Sequence, residues 1–401
     1  MQTVIILHHH EITLKGDNRG FFEKQLLKNI RTTLSGLVKP NRVGGGYGKF
    51  MIYLQDNDNP EIISEKLSTV FGLANICVGL RVEQDVDKFC EAAEILLRDK
   101  QFKTIRVETR RPDKNFPVRS MEVNAKVGGF ICDTFGVRAN LSQPDETIYI
   151  EVVDSTAFVY CSKQKGAGGL PVGVSGRVVS LLSAGIDSPV SSWQMMKRGA
   201  NVIFVHFHSM PYTSANSVDQ VRQLTEVLTR YQYRSKLYLV PFAETQNEIV
   251  LQSPQPLRVI FYRRMMMRVA ERIAMREKAE ALVTGDAVGQ VASQTLRNIR
   301  AINYAATLPI LRPLSGFDKE ETMAIARTIG TFDISKEPYD DCCSFLAPRK
   351  PATWANIDEV TEAESKLDVE RLIQLSLEKT TFETFYYPTV EENALLDSTP
   401  A

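Results

Sequence analysis

The alternation of hydrophobic and polar positions changes character near the middle of the chain. In the first part, residues 4–7 form a short apolar run that predicts a strand. Residues 18–34 carry Phe21, Phe22, Leu26, Leu27 and Ile30 at helical spacing, and residues 49–54 predict a second strand. A further α/β segment follows, with helical patterns at 62–70, 87–98 and 120–135, the last in spite of Gly128 and Gly129. Its strands are read at 71–80 (loop, then strand), 104–109, 147–152 and 156–160. Residues 165–176 are rich in glycine with few side chains to pack, the composition of a linker. From residue 177 strand and helix alternate regularly: strands at 178–182, 201–208, 237–241 and 281–284, helices opening at Pro189 and spanning 217–231 and 257–278. Such alternation predicts a doubly wound parallel sheet, an α/β fold. The expected divisions are therefore 1–60, 61–165, a linker at 166–176, and 177–401 with an acidic end.

A chain of 401 residues is long enough for roughly two or three domains. Its 43% hydrophobic and 24% charged residues exclude a disordered chain. No apolar run reaches the length of a membrane span and no signal sequence follows Met1, so the cytoplasm is the expected address. The six cysteines have no regular spacing and no Cys-x-x-Cys pair, which argues against a disulfide framework and against structural zinc. Formal net charge is zero, yet the charge is unevenly placed. Residues 100–126 hold Lys100, Lys103, Arg106, Arg110, Arg111, Lys114, Arg119 and Lys126 against Glu108, Asp113 and Glu122, whereas residues 354–401 are strongly acidic. A phosphate backbone would prefer the former and avoid the latter.

Candidate chemistry gathers at strand ends in the second half. Between the strand at 178–182 and its helix stands Ser183-Ala-Gly-Ile-Asp-Ser188, a loop of small residues whose amides, with the Ser183 and Ser188 hydroxyls, suit an anion at a helix N-terminus. Asp187 or Ser188 is placed to cap that helix, Pro189 to occupy its first position and Gly199 to close it. The Gly-Lys-Ser/Thr ending of a Walker A loop is missing. The loop resembles instead the Ser-Gly-Gly-x-Asp-Ser PP-loop of ATP pyrophosphatases, with Ala184 departing from the usual glycine; an ordinary, well-capped strand-to-helix turn fits the same residues. His206 and His208 share a strand face without a third ligand, and His8-His9-His10 read as native, so no metal site is expected. Residues 284–295 offer Asp286, as a helix cap or a site residue, with Gln290, Ser293 and Gln294. Asp318 caps a helix that puts Lys319 in its first turn, against the dipole, which points to an anion nearby. Arg258, Arg264, Arg268 and Arg272, around Arg263, read as solvated or as binding nucleic acid.

Phe102-Lys103 through Arg110-Arg111, then Lys114-Asn-Phe-Pro117, and Pro144-Asp145 before an Ile-Tyr-Ile-Glu-Val strand are similar to a THUMP domain, an RNA-binding module of tRNA-modifying enzymes. On that reading Lys103, Arg110, Arg111, Lys114 and Arg119 contact nucleic acid, and Phe116 either stacks on a base or anchors its loop; the plain alternative is a solvated basic face. Leu182-Ser-Ala-Gly-Ile-Asp-Ser-Pro-Val, His206-Phe-His-Ser, the run 284–295 and Arg312-Pro-Leu with Asp318-Lys319 resemble, collinearly and over nearly the whole chain, the tRNA 4-thiouridine synthetase (tRNA sulfurtransferase) family. The resemblance implies a ferredoxin-like α+β domain, a THUMP domain and a PP-loop ATP pyrophosphatase domain acting on uridine at position eight of tRNA. It places nucleotide contacts at Leu181, Leu182, Ser183, Gly185, Ser188, His206, Phe207, Arg263, Gly285 and Gln294, and the essential acid and lysine at Asp187 and Lys319. It implies ATP with Mg²⁺, adenylation of uridine O4, and attack by a persulfide carried at Cys342 or, second, Cys343. Implied partners are tRNA, a cysteine desulfurase and a sulfur-carrier protein of thiamine thiazole synthesis; a homodimer is compatible. Some members carry the persulfide on a C-terminal rhodanese domain; none is recognised here, so sulfur is expected directly from the desulfurase or through Cys342. Two other readings stand beside this one. One is a PP-loop enzyme adenylating a small molecule for amidation, and the other a non-catalytic tRNA-binding protein with a decayed loop, which Ala184 suggests and the intact Asp187, Lys319 and Gln294 oppose.

Overall fold

The structure is a computed structural model that describes residues 1–46, 48–112, 115–339, 342, 346–348 and 350–388. The described residues gather into two compact units, Met1–Gly169 and Leu170–Pro388. Among the described residues no helix is long and apolar enough to cross a membrane.

The first unit is built on one sheet of β1 (Gln2–His8), β2 (Val43–Gly46), β3 (Lys49–Tyr53), β4 (Asn75–Glu83), β5 (Thr104–Arg110), β6 (Arg138–Ala139), β7 (Glu146–Val153), β8 (Thr156–Tyr160) and β9 (Gln164–Lys165). The order is β2-β3-β1-β4-β8-β7-β5-β6, with β9 beside β4. Val4, Ile5, Ile6 and Leu7 are all buried, which explains why β1 reads as an unbroken apolar run rather than an alternating one. It pairs antiparallel with both β3 and β4, so a single sheet runs through the two segments that the pattern separated at residue 60. Helices α1 (Arg19–Thr33) and α2 (Pro60–Leu67) share a core with β1, in which Ile63, Leu67, Val70 and Leu73 meet Ile5, Leu7, Leu26 and Ile30. Residues 61–76 therefore pack with the first segment. Helices α3 (Val86–Leu97) and α4 (Ser120–Phe135) cover the other half through Phe89, Leu97, Val123, Val127 and Ile131.

The glycine-rich stretch is anchored rather than loose. Gly166 and Gly168 donate to the Ala74 and Leu73 carbonyls, while Leu170, Gly173 and Ser175 donate to those of Lys197 and Gly199. Leu170 and Val172 are buried.

The second unit holds β10 (Arg177–Leu181), β11 (Asn201–His208), β12 (Arg234–Pro241), β13 (Ala281–Val283), β14 (Ile310–Leu311) and β15 (Thr381–Tyr386) in the order β14-β13-β10-β11-β12-β15. All pairs are parallel except β12 with β15. The chain runs outward from β10 through β11 and β12, then returns to lay β13 on the opposite side of β10. The strand order thus reverses between β10 and β13, and the crevice for a ligand lies beyond their carboxyl ends. Intervening helices are α5 (Asp187–Lys197), α6 (Asn216–Gln232), α7 (Ala243–Gln252), α8 (Arg258–Glu277), α9 (Leu296–Asn303), α10 (Lys319–Ile329) and α11 (Phe332–Ser335).

The described part of the acidic end, up to residue 388, is folded. Helices α12 (Ile357–Glu364) and α13 (Val369–Glu378) add Val360, Leu372 and Ile373 to the core around α8, and β15 follows them. Glu364 corrects the solvated reading for Arg264 and Arg268, whereas Arg272 is exposed, as expected. Glu364 accepts from Arg264 Nε at 2.9 Å and from Arg268 Nη1 at 2.7 Å, Glu370 accepts from Arg272 at 2.7 Å, and Arg258 donates to the Val250 carbonyl at 3.1 Å. These charges are engaged within the fold.

Candidate active site

Strand pairing continues one residue past β10, where the Leu182 amide donates to the Val205 carbonyl at 2.9 Å. The chain then closes on itself: Ser188 Oγ accepts from the Ser183 amide at 2.8 Å, Ser183 Oγ accepts from the Gly185 amide at 3.3 Å, and the two hydroxyls lie 3.0 Å apart. Helix α5 begins at Asp187 without a side-chain cap, and Pro189 is its third residue, not its first. The expected caps are engaged elsewhere, Ser188 in closing the loop and Asp187 with Lys319 Nζ at 2.8 Å and Gln290 Nε2 at 2.9 Å. The first amides of α5 thus keep their affinity for an external anion. Ala184 is buried on an ordinary backbone, since the non-glycine residues with positive φ among those described are Asp154, Tyr233 and Lys278. Its methyl group places no strain on the loop. Lys319 opens α10 behind a capping box of Asp318 and Glu321, as the sequence predicted.

A cavity of about 340 Å³ occupies the switch point. Leu181, Leu182, Ser183, Gly185, Ser188, His206, Phe207, Arg263, Gly285 and Gln294 all line it, together with Asp187 and Cys342. Lys319 is joined to this set through Asp187. Cys342 is buried, and its carbonyl accepts from Gln246 Nε2 at 2.6 Å. Cys343 lies outside the described residues. The wall also includes Val259, Met266, Met267, Thr284, Asp286, Ser293 and Tyr339.

Two buried acceptors face no donor among the described residues. His206 Nδ1 lies 2.9 Å from the Leu182 carbonyl, and burial pushes the imidazole pKa down to about 4. The ring is therefore neutral near pH 7 with its proton on Nδ1, a tautomer assigned from the hydrogen bond, and Nε2 is an acceptor. Neither His206 Nε2 nor Gln294 Oε1 has a partner among the described residues, although both are buried. Buried polar atoms left in this state are costly, and a ligand amino group in the cavity would satisfy them. No set of three His, Cys, Asp or Glu groups able to hold a metal occurs among the described residues.

Asp286 organises the rear of the site. It is buried and accepts from Arg263, from Arg312 Nε at 3.1 Å, from the Thr284 hydroxyl at 2.8 Å and from Gln294 Nε2 at 3.1 Å. Burial opposes its ionisation, but the Arg263 charge, the Thr284 hydroxyl and the Arg312 charge hold its carboxyl down at about 2. It is thus an ionic anchor, not a helix cap, and it fixes Arg263, which also donates to Ser293 Oγ at 3.1 Å. Asp286 and Arg312 stand in the recognised motifs, but only the fold brings their charges together.

The basic stripe belongs to the first unit. Lys103, Arg110 and Arg119 are exposed, and Lys114 lies outside the described residues. Arg111 donates to the Phe116 and Val118 carbonyls, and Phe116 is buried against Phe89 with ring centroids 5.9 Å apart. Phe116 therefore anchors its loop and has no exposed face for a base.

A switch-point crevice with a serine-closed loop, an acid–lysine pair and unsatisfied acceptors defines an ATP pyrophosphatase-type nucleotide-binding unit. Three family models match the chain: ThiI ferredoxin-like domain over 4–77, THUMP domain over 83–162, and Thiamine biosynthesis protein (ThiI) over 173–369. A "Probable tRNA sulfurtransferase" of Thermoanaerobacter pseudethanolicus is 42% identical over 374 residues, 93% of this chain and 97% of that one. Its namesake from Thermus thermophilus is 40% identical over 390 residues, 97% and 95% of the two chains. The crystal structure of a 4-thiouridine synthetase–RNA complex with bound ATP superposes with a TM-score of 0.88 at 34% identity, covering 96% of this chain and 100% of that one. The chain belongs to the tRNA sulfurtransferase family.

Proposed function

We propose that this protein uses ATP to replace O4 of uridine eight in tRNA by sulfur. The observation that carries the reading is the pair of acceptors without a partner among the described residues, His206 Nε2 and Gln294 Oε1, on residues that line one cavity together with Ser183, Gly185, Asp187 and Ser188 of the loop. An adenine amino group suits the acceptors, and phosphates suit the open end of α5. Arg263, held by Asp286, and Lys319, held by Asp187, offer positive charge to the triphosphate. Mg²⁺ would be held by the Asp187 carboxylate once Lys319 or Gln290 gives up an oxygen to it, together with phosphate oxygens and water, and would neutralise phosphate charge when bound.

Uracil O4 is a poor leaving group. Attack of O4 on the α-phosphate of ATP expels pyrophosphate and turns O4 into part of a good one. The terminal sulfur of a persulfide on Cys342 then attacks C4, the C4–O4 bond breaks and AMP departs. A second thiol, Cys343 or an external one, attacks the Cys342 sulfur, forming a disulfide with it and expelling 4-thiouridine; an external dithiol reductant then reduces that disulfide and restores the Cys342 thiol. A cysteine desulfurase supplies the persulfide, and the same sulfur would serve a carrier protein in thiamine thiazole synthesis. Lys103, Arg110 and Arg119 hold tRNA phosphates.

The test is incubation with unmodified tRNA, ATP, Mg²⁺, cysteine and a desulfurase, followed by electrophoresis in a mercury-containing gel. Thiolated tRNA is retarded with the wild-type protein. With Asp187→Ala or Cys342→Ser the retarded band is lost while tRNA binding by filter retention is unchanged. ATP conversion to AMP without a band would point to another acceptor, and tRNA binding without ATP turnover to a non-catalytic protein.

A further inference from the structure

The rim of the cavity carries a surface that the proposed reaction leaves unused. Val291 lines the cavity and is 52% exposed, and beside it in the chain Leu296 is 69% exposed. Trp354 is 68% exposed, and the Arg297 guanidinium lies 3.9 Å from its ring centroid. The segment bearing this tryptophan is tied to the rim. Thr295 Oγ1 donates to the Thr353 carbonyl at 2.9 Å, Asn298 Nδ2 donates to the Ala352 carbonyl at 2.8 Å, and Asn298 Oδ1 accepts from the Ala355 amide at 2.9 Å. Asn298 is buried and also donates to the Ala292 carbonyl at 2.7 Å. Trp354 is thus fixed to the loop that gives Ser293 and Gln294 to the cavity.

Charge selects the occupant. Arg297 and Arg300 are both exposed and share the helix beside Trp354, and no acid occurs between residues 287 and 317; Arg312, in the same run, is neutralised by Asp286. An indole backed by a guanidinium, with a second exposed arginine on the same helix, matches a polyanion with flat rings. A base inserted into an enclosed site must leave its stack, which bares the faces of its neighbours. Aromatic and arginine planes are what unstacked bases settle on.

We propose that Trp354 and Arg297 form a stacking platform for a nucleotide flanking the target uridine. This rests on the reading of tRNA as the substrate. The platform positions the RNA and takes no part in the chemistry.

The chain has two tryptophans, and Trp193 is buried against Tyr231 with ring centroids 6.1 Å apart. The difference in emission between the wild-type protein and Trp354→Phe therefore reports Trp354. Unmodified tRNA is expected to quench that difference signal, saturating at the midpoint seen by filter retention. Trp354→Ala and Arg297→Gln should each raise the KM for tRNA by about tenfold and leave ATP affinity unchanged, whereas Trp354→Phe, which keeps an aromatic plane, should stay close to the wild-type KM. Bound tRNA without quenching, together with an unchanged KM in Trp354→Ala, overturns the proposal. Quenching by the desulfurase instead of tRNA, with only desulfurase-fed transfer impaired, also overturns it and assigns the platform to the sulfur donor. If the wild-type protein thiolates no tRNA, the proposed reaction fails by itself; tRNA-dependent quenching would still support the platform.

Discussion

A methyl group on Gly285 would stand 2.7 Å from the Ser188 amide nitrogen, 2.8 Å from its Cα and 2.9 Å from the Asp187 carbonyl carbon. All three are backbone atoms of the first turn of α5, so none can swing aside as a long side chain would. The close passage of the end of β13 over the start of α5 is what forms the switch-point crevice. Gly285→Ala should weaken ATP binding by at least about tenfold and cost about 1–3 kcal/mol of stability, as overpacking does; titration calorimetry and a thermal melt check both. Ala184→Gly, at a position with no positive φ, should bind ATP as the wild-type protein does. Gly285 was recognisable from its motif, but the reason only glycine fits is a distance between elements almost 100 residues apart in sequence. The same holds for His206. Its place at the end of a strand was readable, whereas the neutral tautomer depends on the Leu182 carbonyl opposite. Phe116 shows the reverse limit, because an aromatic ring among bases and prolines fits an RNA contact as well as an anchor until the Phe89 ring beneath it is seen.

Helix α8 was legible as an element, since its apolar positions recur at helical spacing over residues 257–278, but the destination of its arginines was not. Arg264 is 2% exposed and Glu364 closes on it from 100 residues away, with Arg268 on the same carboxylate. Burial opposes ionisation of Glu364, and the two arginines overcome it, holding its carboxyl at about 2. Removing the acid alone leaves a guanidinium in the core without a counter-charge, which costs about 3–5 kcal/mol. Glu364→Gln should therefore lower the urea midpoint of the second unit markedly. The triple variant Arg264→Met, Arg268→Met and Glu364→Leu should recover most of the loss, because apolar side chains of similar volume replace the whole ionic triad, Arg268 included. Recovery of that size would show that the acidic end contributes charge balance to α8 as well as apolar packing.

The alternation of strands and helices after residue 177 was enough to give a doubly wound parallel sheet and hence a crevice at the carboxyl ends of its strands, because each parallel crossover leaves its own hydrophobic rhythm, but it gave neither the strand order nor the antiparallel edge strand β15. The continuous sheet of the first unit left no such mark. Antiparallel pairing of β1 with β4 depends on register across some 70 residues, and nothing local in either strand reports it. Net charge misleads at this scale too, since zero overall conceals a basic stripe in one unit and acids folded onto the other. Of that stripe, Lys103, Arg110 and Arg119 are exposed, whereas the Arg111 guanidinium is engaged by two carbonyls of its own loop. Each phosphate contact that releases a counterion adds about 0.7–0.9 to the salt slope of binding. Replacing Lys103, Arg110 and Arg119 by glutamine should therefore weaken tRNA binding at low salt and flatten its logarithmic salt dependence by about two to three units. Arg111→Gln should instead lower the melting temperature of the first unit and leave the slope nearly unchanged, because the side chain holds the loop and not the RNA. Filter retention of tRNA at several salt concentrations separates the two roles. A slope that falls equally for Arg111→Gln would mean that its guanidinium leaves the loop carbonyls when RNA arrives.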